Sequence, residues 1–303
     1  MNRLFILFVV SALILGSCKR NGSNDQPNDL SIPEEELNKG IEELEISEEV
    51  MQDIVQNISS PVEMAALLKS LNVGFSSKYL ASVDNVDDYT TSFQQAFNLG
   101  IFGADLGYLN MYNKTNSVID YISAIKTLAD GIKVGQFFDF VTLKRLAQAN
   151  ENLDSLMYIS VHSFNQVDKY LNTNKRGNLS ALMVTGVWLE GLYLATQVYK
   201  EAPLDELKER IGEQKIIMGD LMLILENYKR DKQFENLVNQ LNELKALFKD
   251  VEIKIIPGEP EAVEQDGMLV IIQNEESVVV ISDEQISAII AKTEEIRTNL
   301  IGS

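Results

Sequence analysis

The stretch AFNLGIFGADLGYLNM, residues 96–111, decides how this chain folds. Ala96, Gly100, Gly103 and Gly107 fall at i, i+4, i+7 and i+11, which puts four small residues in one line on one helical face. Nearly every other position from Phe97 to Met111 is apolar, so the spacing predicts a buried helix over about Asp87–Tyr112. A small-residue groove lets a neighbouring backbone come close. Leu179–Tyr199 has the same character and is the expected neighbour.

Working outward from that helix, apolar residues recur at helical spacing almost everywhere. Val118, Ile119, Ile122, Ile125 and Leu128 mark a helix over 115–134, and a shorter one covers 137–148. Leu153, Leu156, Met157, Ser160, Phe164, Val167 and Leu171 make one stripe over 152–172. Pro203 opens a helix with Asp205 and Glu206 in its first turn and a stripe of Leu204, Leu207, Ile211, Met218, Leu221 and Leu225. Phe234, Leu237, Val238, Leu241, Leu244 and Phe248 define the last helix of this body. Short connections predict that sequence neighbours pack antiparallel. Towards the N-terminus, 33–57 carries eight glutamates between Glu34 and Glu49, a solvated helix face, and Ser60-Pro61 caps a short helix over 61–71.

The last fifty residues change character. Val251–Ile256 reads as a short strand and 257–267 as an acidic loop with two prolines. Met268–Gln273 and Ser277–Ser282 are β-branched runs expected to pair as a hairpin across Asn274-Glu275-Glu276. Ser282 and Gln285 form a capping box before a final helix whose apolar face holds Ile286, Ile289, Ile290, Ile296 and Leu300. The fold class is therefore mainly α: an antiparallel multi-helix bundle over 33–250, then a small β-hairpin and final helix over 251–303. An internal duplication is an open alternative. Lys78-Tyr79-Leu80 matches Lys169-Tyr170-Leu171, and Asp105-x-x-Tyr108-Leu109 matches Glu190-x-x-Tyr193-Leu194, at offsets that require an indel.

The chain begins Met1-Asn2-Arg3, followed by a twelve-residue uncharged run, Leu4–Leu15. As a helix that run rises only about 18 Å, short of a bilayer core, so it reads as the apolar region of a signal peptide. It ends Leu15-Gly16-Ser17-Cys18, which resembles the lipobox of bacterial lipoproteins. The resemblance implies a signal peptide over 1–17, cleavage before Cys18, and a diacylglyceryl (and usually palmitate-type acyl) modification of Cys18. Residues 18–32 are then a polar tether with a mean span of roughly 20 Å. Lys19 follows the cysteine with no acidic cluster, which suggests the outer membrane, facing the periplasm.

The function classes this sequence excludes are as informative as those it allows. With 45 acids against 26 bases and a net charge of −19, nucleic acid is a poor partner. One cysteine and one histidine rule out disulfides within the chain, cysteine zinc sites and multi-histidine motifs. Phosphate-loop, dinucleotide and Gly-x-Ser-x-Gly motifs are absent, so no catalytic residue is named and no cofactor beyond the covalent lipid is expected. His162 projects about 150° from its helix's apolar stripe and should face outward. The candidate site is Asp105 with Glu190, each within a strongly apolar helix and each followed one turn later by a tyrosine, Tyr108 and Tyr193. If the helices pair, the acids could bind a cation or small ligand. Otherwise they are polar stripes served by solvent or tyrosine hydroxyls. Trp188, Tyr112 and Tyr199 add an aromatic lining, suited to core packing or to a pocket.

The lipobox, the stretch GVWLEGLYLATQ (186–197) and the hairpin–helix ending together resemble an uncharacterised lipoprotein family of Bacteroidota-type bacteria. The resemblance implies a location and a helical fold, and no activity. Imelysin-like lipoproteins are also helical, but their Gly-x-His-x-x-Glu motif is missing: His162 follows Val161 and stands three before Asn165. The expected function is a lipid-anchored, non-enzymatic helical domain that binds an envelope protein or serves a structural role. The alternative is a periplasmic ligand- or cation-binding protein built on Asp105, Glu190, Tyr108 and Tyr193.

Overall fold

The computed structural model describes residues 70–71, 73–149, 153–265 and 268–301. The signal peptide, Cys18, the tether and nearly all of the two helices expected over 33–71 lie outside the described residues. All the described residues belong to one compact unit, 45–303.

The mainly-α reading holds. Among the described residues there are eight α-helices: α1 Ser92–Met111, α2 Thr115–Gly131, α3 Phe140–Ala149, α4 Leu153–Thr173, α5 Gly177–Glu201, α6 Asp205–Glu226, α7 Lys232–Leu247 and, after the strands, α8 Asp283–Ile301. Each helix packs on its sequence neighbour, as short connections require. α1 starts five residues later than expected. Thr91 and Gln94 form a reciprocal capping box there, and Val83–Asp88 is a separate 3-10 turn. Asn113, Lys133 and Lys175 each adopt a left-handed backbone just past α1, α2 and α4. The next amide in each case bonds back to a carbonyl five residues earlier: Lys114 to Leu109, Val134 to Ala129, Arg176 to Leu171.

α1 and α5 make the closest helix pair. Fourteen of the twenty residues of α1 are buried, and both helices are apolar nearly all round. α5 is long and apolar enough to cross a membrane, but it is enclosed as a core helix. A Cβ added at Gly100 would stand 2.0 Å from the Met183 carbonyl oxygen, and one at Gly186 would stand 2.1 Å from the Phe97 carbonyl oxygen. The two helices therefore touch backbone to backbone, each through its own glycine. The glycine line of α1 serves two neighbours rather than one, because Gly103 faces the Phe164 ring of α4. The symmetric crossing fits the proposed duplication, but the segments before it do not. Lys78-Tyr79 lies in a short 3-10 turn, while Lys169–Leu171 lies inside α4.

The hairpin differs from expectation. β1 spans Glu252–Gln265 and β2 spans Met268–Val280, paired antiparallel from Glu252↔Val280 to Gln265↔Met268. The expected acidic loop is thus strand up to Gln265. Glu275 and Glu276 pair with Pro257 and Ile256 instead of turning the chain. The joining residues, Asp266-Gly267, are the pair of residue types that favours a two-residue hairpin turn, a stronger signal than Asn-Glu-Glu. The register shifts between Pro257 and Pro260, where a proline cannot donate to the ladder. Ser282 and Gln285 then cap α8 reciprocally, as expected.

A buried acid–arginine clasp as the candidate functional site

α1 delivers Asp105 and α5 delivers Glu190 to one place, and both are 0 % exposed. Asp105 lies five residues past Gly100, and Glu190 lies four past Gly186. In an antiparallel pair that offset would separate them by about 13 Å along the axis. The two acids instead act on each other and on one guanidinium, so α1 and α5 leave the crossing in the same direction. That is what alternating directions along five successive helices produces.

Solvent does not reach either acid; the counter-charge is Arg297 of α8. Its Nε and Nη2 each donate to one oxygen of Glu190, both at 2.6 Å, a bidentate pair. The guanidinium carbon lies 3.9 Å from the Tyr193 ring centroid, and Nη2 also donates to the Tyr79 carbonyl at 3.2 Å. Asp105 Oδ2 accepts the Ala81 N–H at 2.9 Å, and the Tyr121 hydroxyl donates to the Ala81 carbonyl. The backbone at Tyr79–Ala81, where a 3-10 turn ends, is therefore held by α1, α2 and α8 at once.

Burial raises the Asp105 carboxyl well above the usual range, and the neighbouring Glu190 charge pushes it further; Arg297 and the Ala81 amide pull the other way and lose. Asp105 Oδ1 has no N–H donor, and its neighbour is another carboxyl. Burial opposes the charge on Arg297, but the Glu190 carboxylate outweighs it and raises the guanidinium above its ordinary value. The centre thus favours the neutral form of Asp105 and the charged form of Arg297.

Of the four sequence-predicted residues, the structure brings together Asp105, Glu190 and Tyr193. Tyr108 faces away, its hydroxyl accepting the Ser76 N–H at 3.1 Å and its ring stacked on Phe75. Trp188 is core, donating to Gln214 at 3.0 Å. His162 is exposed, as expected, beside Gln166. Sequence reading missed Arg297, although it follows Ile286, Ile290 and Thr293 on the buried face of α8; a base inside an apolar stripe is the signal that buried acids elsewhere need a partner. Among the described residues, no three His, Cys, Asp or Glu side chains gather as metal ligands.

The arrangement can fix three helices and a loop together. Arg297 occupies the position beside the two acids where a bound cation would otherwise sit. No family model, curated protein or solved structure matches this chain.

Proposed function

We propose that this chain is a lipid-anchored protein of the bacterial cell envelope, held through Cys18 and facing the periplasm from the outer membrane, with a non-enzymatic helical domain that binds another envelope protein. The anchor rests on the Leu15-Gly16-Ser17-Cys18 lipobox and the uncharacterised Bacteroidota-type lipoprotein family it resembles. The observation that carries the non-enzymatic reading is the bidentate Arg297–Glu190 pair, which commits the acid centre to holding the fold. The surface supports a binding role. Val141 on α3 is 81 % exposed and Tyr158 on α4 is 72 % exposed, on two helices that pack against each other. An open groove of about 430 Å³ beside Phe140, Val141, Lys144 and Arg145 adds a place for a partner side chain.

Metabolic labelling with a palmitate analogue tests the anchor: label on the wild type and none on Cys18→Ser is expected, and an unlabelled wild type would end the proposal. A photo-crosslinking residue at position 158 tests the binding face. A discrete adduct that is absent from a probe at exposed Lys169 is expected, and equal labelling from both positions would remove this face. Calcium, magnesium or zinc is expected to leave the melting temperature unchanged, and a rise with any of them would favour the cation-binding alternative.

A further inference from the structure

A groove of about 440 Å³ opens between α6 and the end of α7, lined by Lys215, Asn242, Lys245, Ala246, Phe248 and Lys249. That volume suits a small molecule. Three of the six lining residues are lysines and none is acidic, in a chain where acids outnumber bases 45 to 26. Asn242 and Lys245 lie one turn apart on α7, and Lys249 follows in the turn just past its end.

The lysines of this groove have no acid partner among the described residues, whereas six lysines elsewhere do. Lys126, Lys200, Lys208, Lys229, Lys254 and Lys292 each pair with an acid. Lys245 and Lys249 are exposed and form no salt bridge among the described residues. Lys215 is half-buried and fixed: its ammonium donates to the Lys249 carbonyl at 2.9 Å and the Val251 carbonyl at 2.6 Å. An ammonium has three N–H donors, so one remains. It is held in place before any ligand arrives, which lowers the ordering cost of binding.

We propose that this groove is an anion site that takes a phosphoryl group. Lys215 supplies the fixed charge, Lys245 and Lys249 supply the adaptable charges, and Asn242 supplies a neutral donor. Three ammonium groups exceed what one carboxylate neutralises, whereas a phosphate monoester brings about two negative charges and three strong acceptors. The net charge of the protein opposes any anion, so the local cluster must provide the attraction, and binding weakens as salt is added. A soluble phosphate monoester offers that charge in full, and a phospholipid headgroup offers phosphoryl oxygens as a diester with one charge per lipid, several of which can meet the three lysines.

The test uses the chain carrying Cys18→Ser, which takes no lipid: calorimetric titration with inorganic phosphate, alongside co-sedimentation with vesicles of phosphatidylcholine and of an equimolar phosphatidylcholine–phosphatidylglycerol mixture. Lys245→Gln/Lys249→Gln is the test variant, because neither side chain has a structural partner to lose. Lys169→Gln is the control. Binding weakened at least about tenfold in the double variant and unchanged in the control is expected, a loss of about 1.4 kcal/mol. Saturation by inorganic phosphate without vesicle binding assigns a soluble ester. Variant-sensitive binding to vesicles without phosphate saturation assigns a headgroup. Absence of both, or binding that the double variant retains, overturns the proposal.

Discussion

Arg297 decides what the two buried acids are for. Breaking a buried ion pair from one side leaves the other charge unpaired and typically costs about 3–5 kcal/mol. Arg297→Met and Glu190→Gln are each expected to lose that much in chemical denaturation. At pH 4, Asp105→Asn is expected to lose less than about 1 kcal/mol, because burial already favours an uncharged side chain there and an amide can donate to Glu190. A loss from Asp105→Asn as large as that from Glu190→Gln would show that Asp105 is ionised. The pH dependence gives an independent check. The folded carboxyl of Asp105 is raised above its unfolded value, so the folded state holds a proton that the unfolded state releases above about pH 4. Its contribution to stability therefore falls as pH rises, by about 1.4 kcal/mol per unit until the folded carboxyl itself titrates. Measured at pH 4, 5.5 and 7, the stability of Asp105→Asn minus that of the wild type is expected to grow with pH. A flat difference would place the proton elsewhere. Asp105, Glu190 and Tyr193 were legible in the sequence because acids in an apolar helix stand out. Arg297 was not, because a stripe counted only by its apolar members hides a base among them, and the Ala81 amide carries no side-chain signal at all.

At the scale of an element, the α1–α5 crossing and the helix ends carry separable predictions. Gly100→Ala and Gly186→Ala each drive a methyl group into a backbone carbonyl that has no flexible end to move, and overpacking of this kind costs typically about 1–3 kcal/mol. Gly191, in the same helix as Gly186, has nothing within 4 Å of an added Cβ. Gly191→Ala is therefore expected to stabilise by up to about 1 kcal/mol through helix propensity alone. Thermal denaturation of the three variants checks both signs at once; destabilisation by Gly191→Ala would mean that burial there is tighter than the backbone shows. Lys133 and Lys175 sit in left-handed backbone where glycine has no penalty, so Lys133→Gly and Lys175→Gly are expected to be neutral or stabilising. Interior helices were legible because period and length agree over many residues. The hairpin departs from expectation because β-branched residues run through both of its expected arms, so composition did not fix the register, which runs out to Gln265↔Met268.

At the scale of the whole body, the C-terminal helix has more work than its position suggests. α8 reaches α5 through Arg297 and through Glu294, which accepts from Gln197 at 2.7 Å and Lys200 at 2.6 Å. It reaches α7 through Lys292–Glu243 and α6 through Asp283–Lys208. Its last described residue, Ile301, accepts the Tyr89 hydroxyl at 2.8 Å. The segment that leads into α1 is fastened by the same centre, with Tyr112 donating to the Val73 carbonyl in addition to the Tyr79 and Ala81 contacts. The exposed pairs contribute little individually, so the ordering of this segment depends on the buried clasp. The hairpin has a different standing: Val279 and the adjoining Val251 meet the body beside Gly212, close to the base of the ribbon. Removing α8 at Ser282 takes away Arg297 and leaves Glu190 and Asp105 uncovered, and the expected result is loss of cooperative unfolding throughout the body. Replacing 258–274 with a two-residue turn leaves the base pairs Glu252↔Val280 to Pro257↔Glu275 in place, and the melting temperature should stay within about 3 °C, equivalent to no more than about 1 kcal/mol at this size. Calorimetry of the two truncations separates the roles. A cooperative transition that survives without α8 would show that the clasp is dispensable, and a collapse on shortening the hairpin would show that its far end is part of the core.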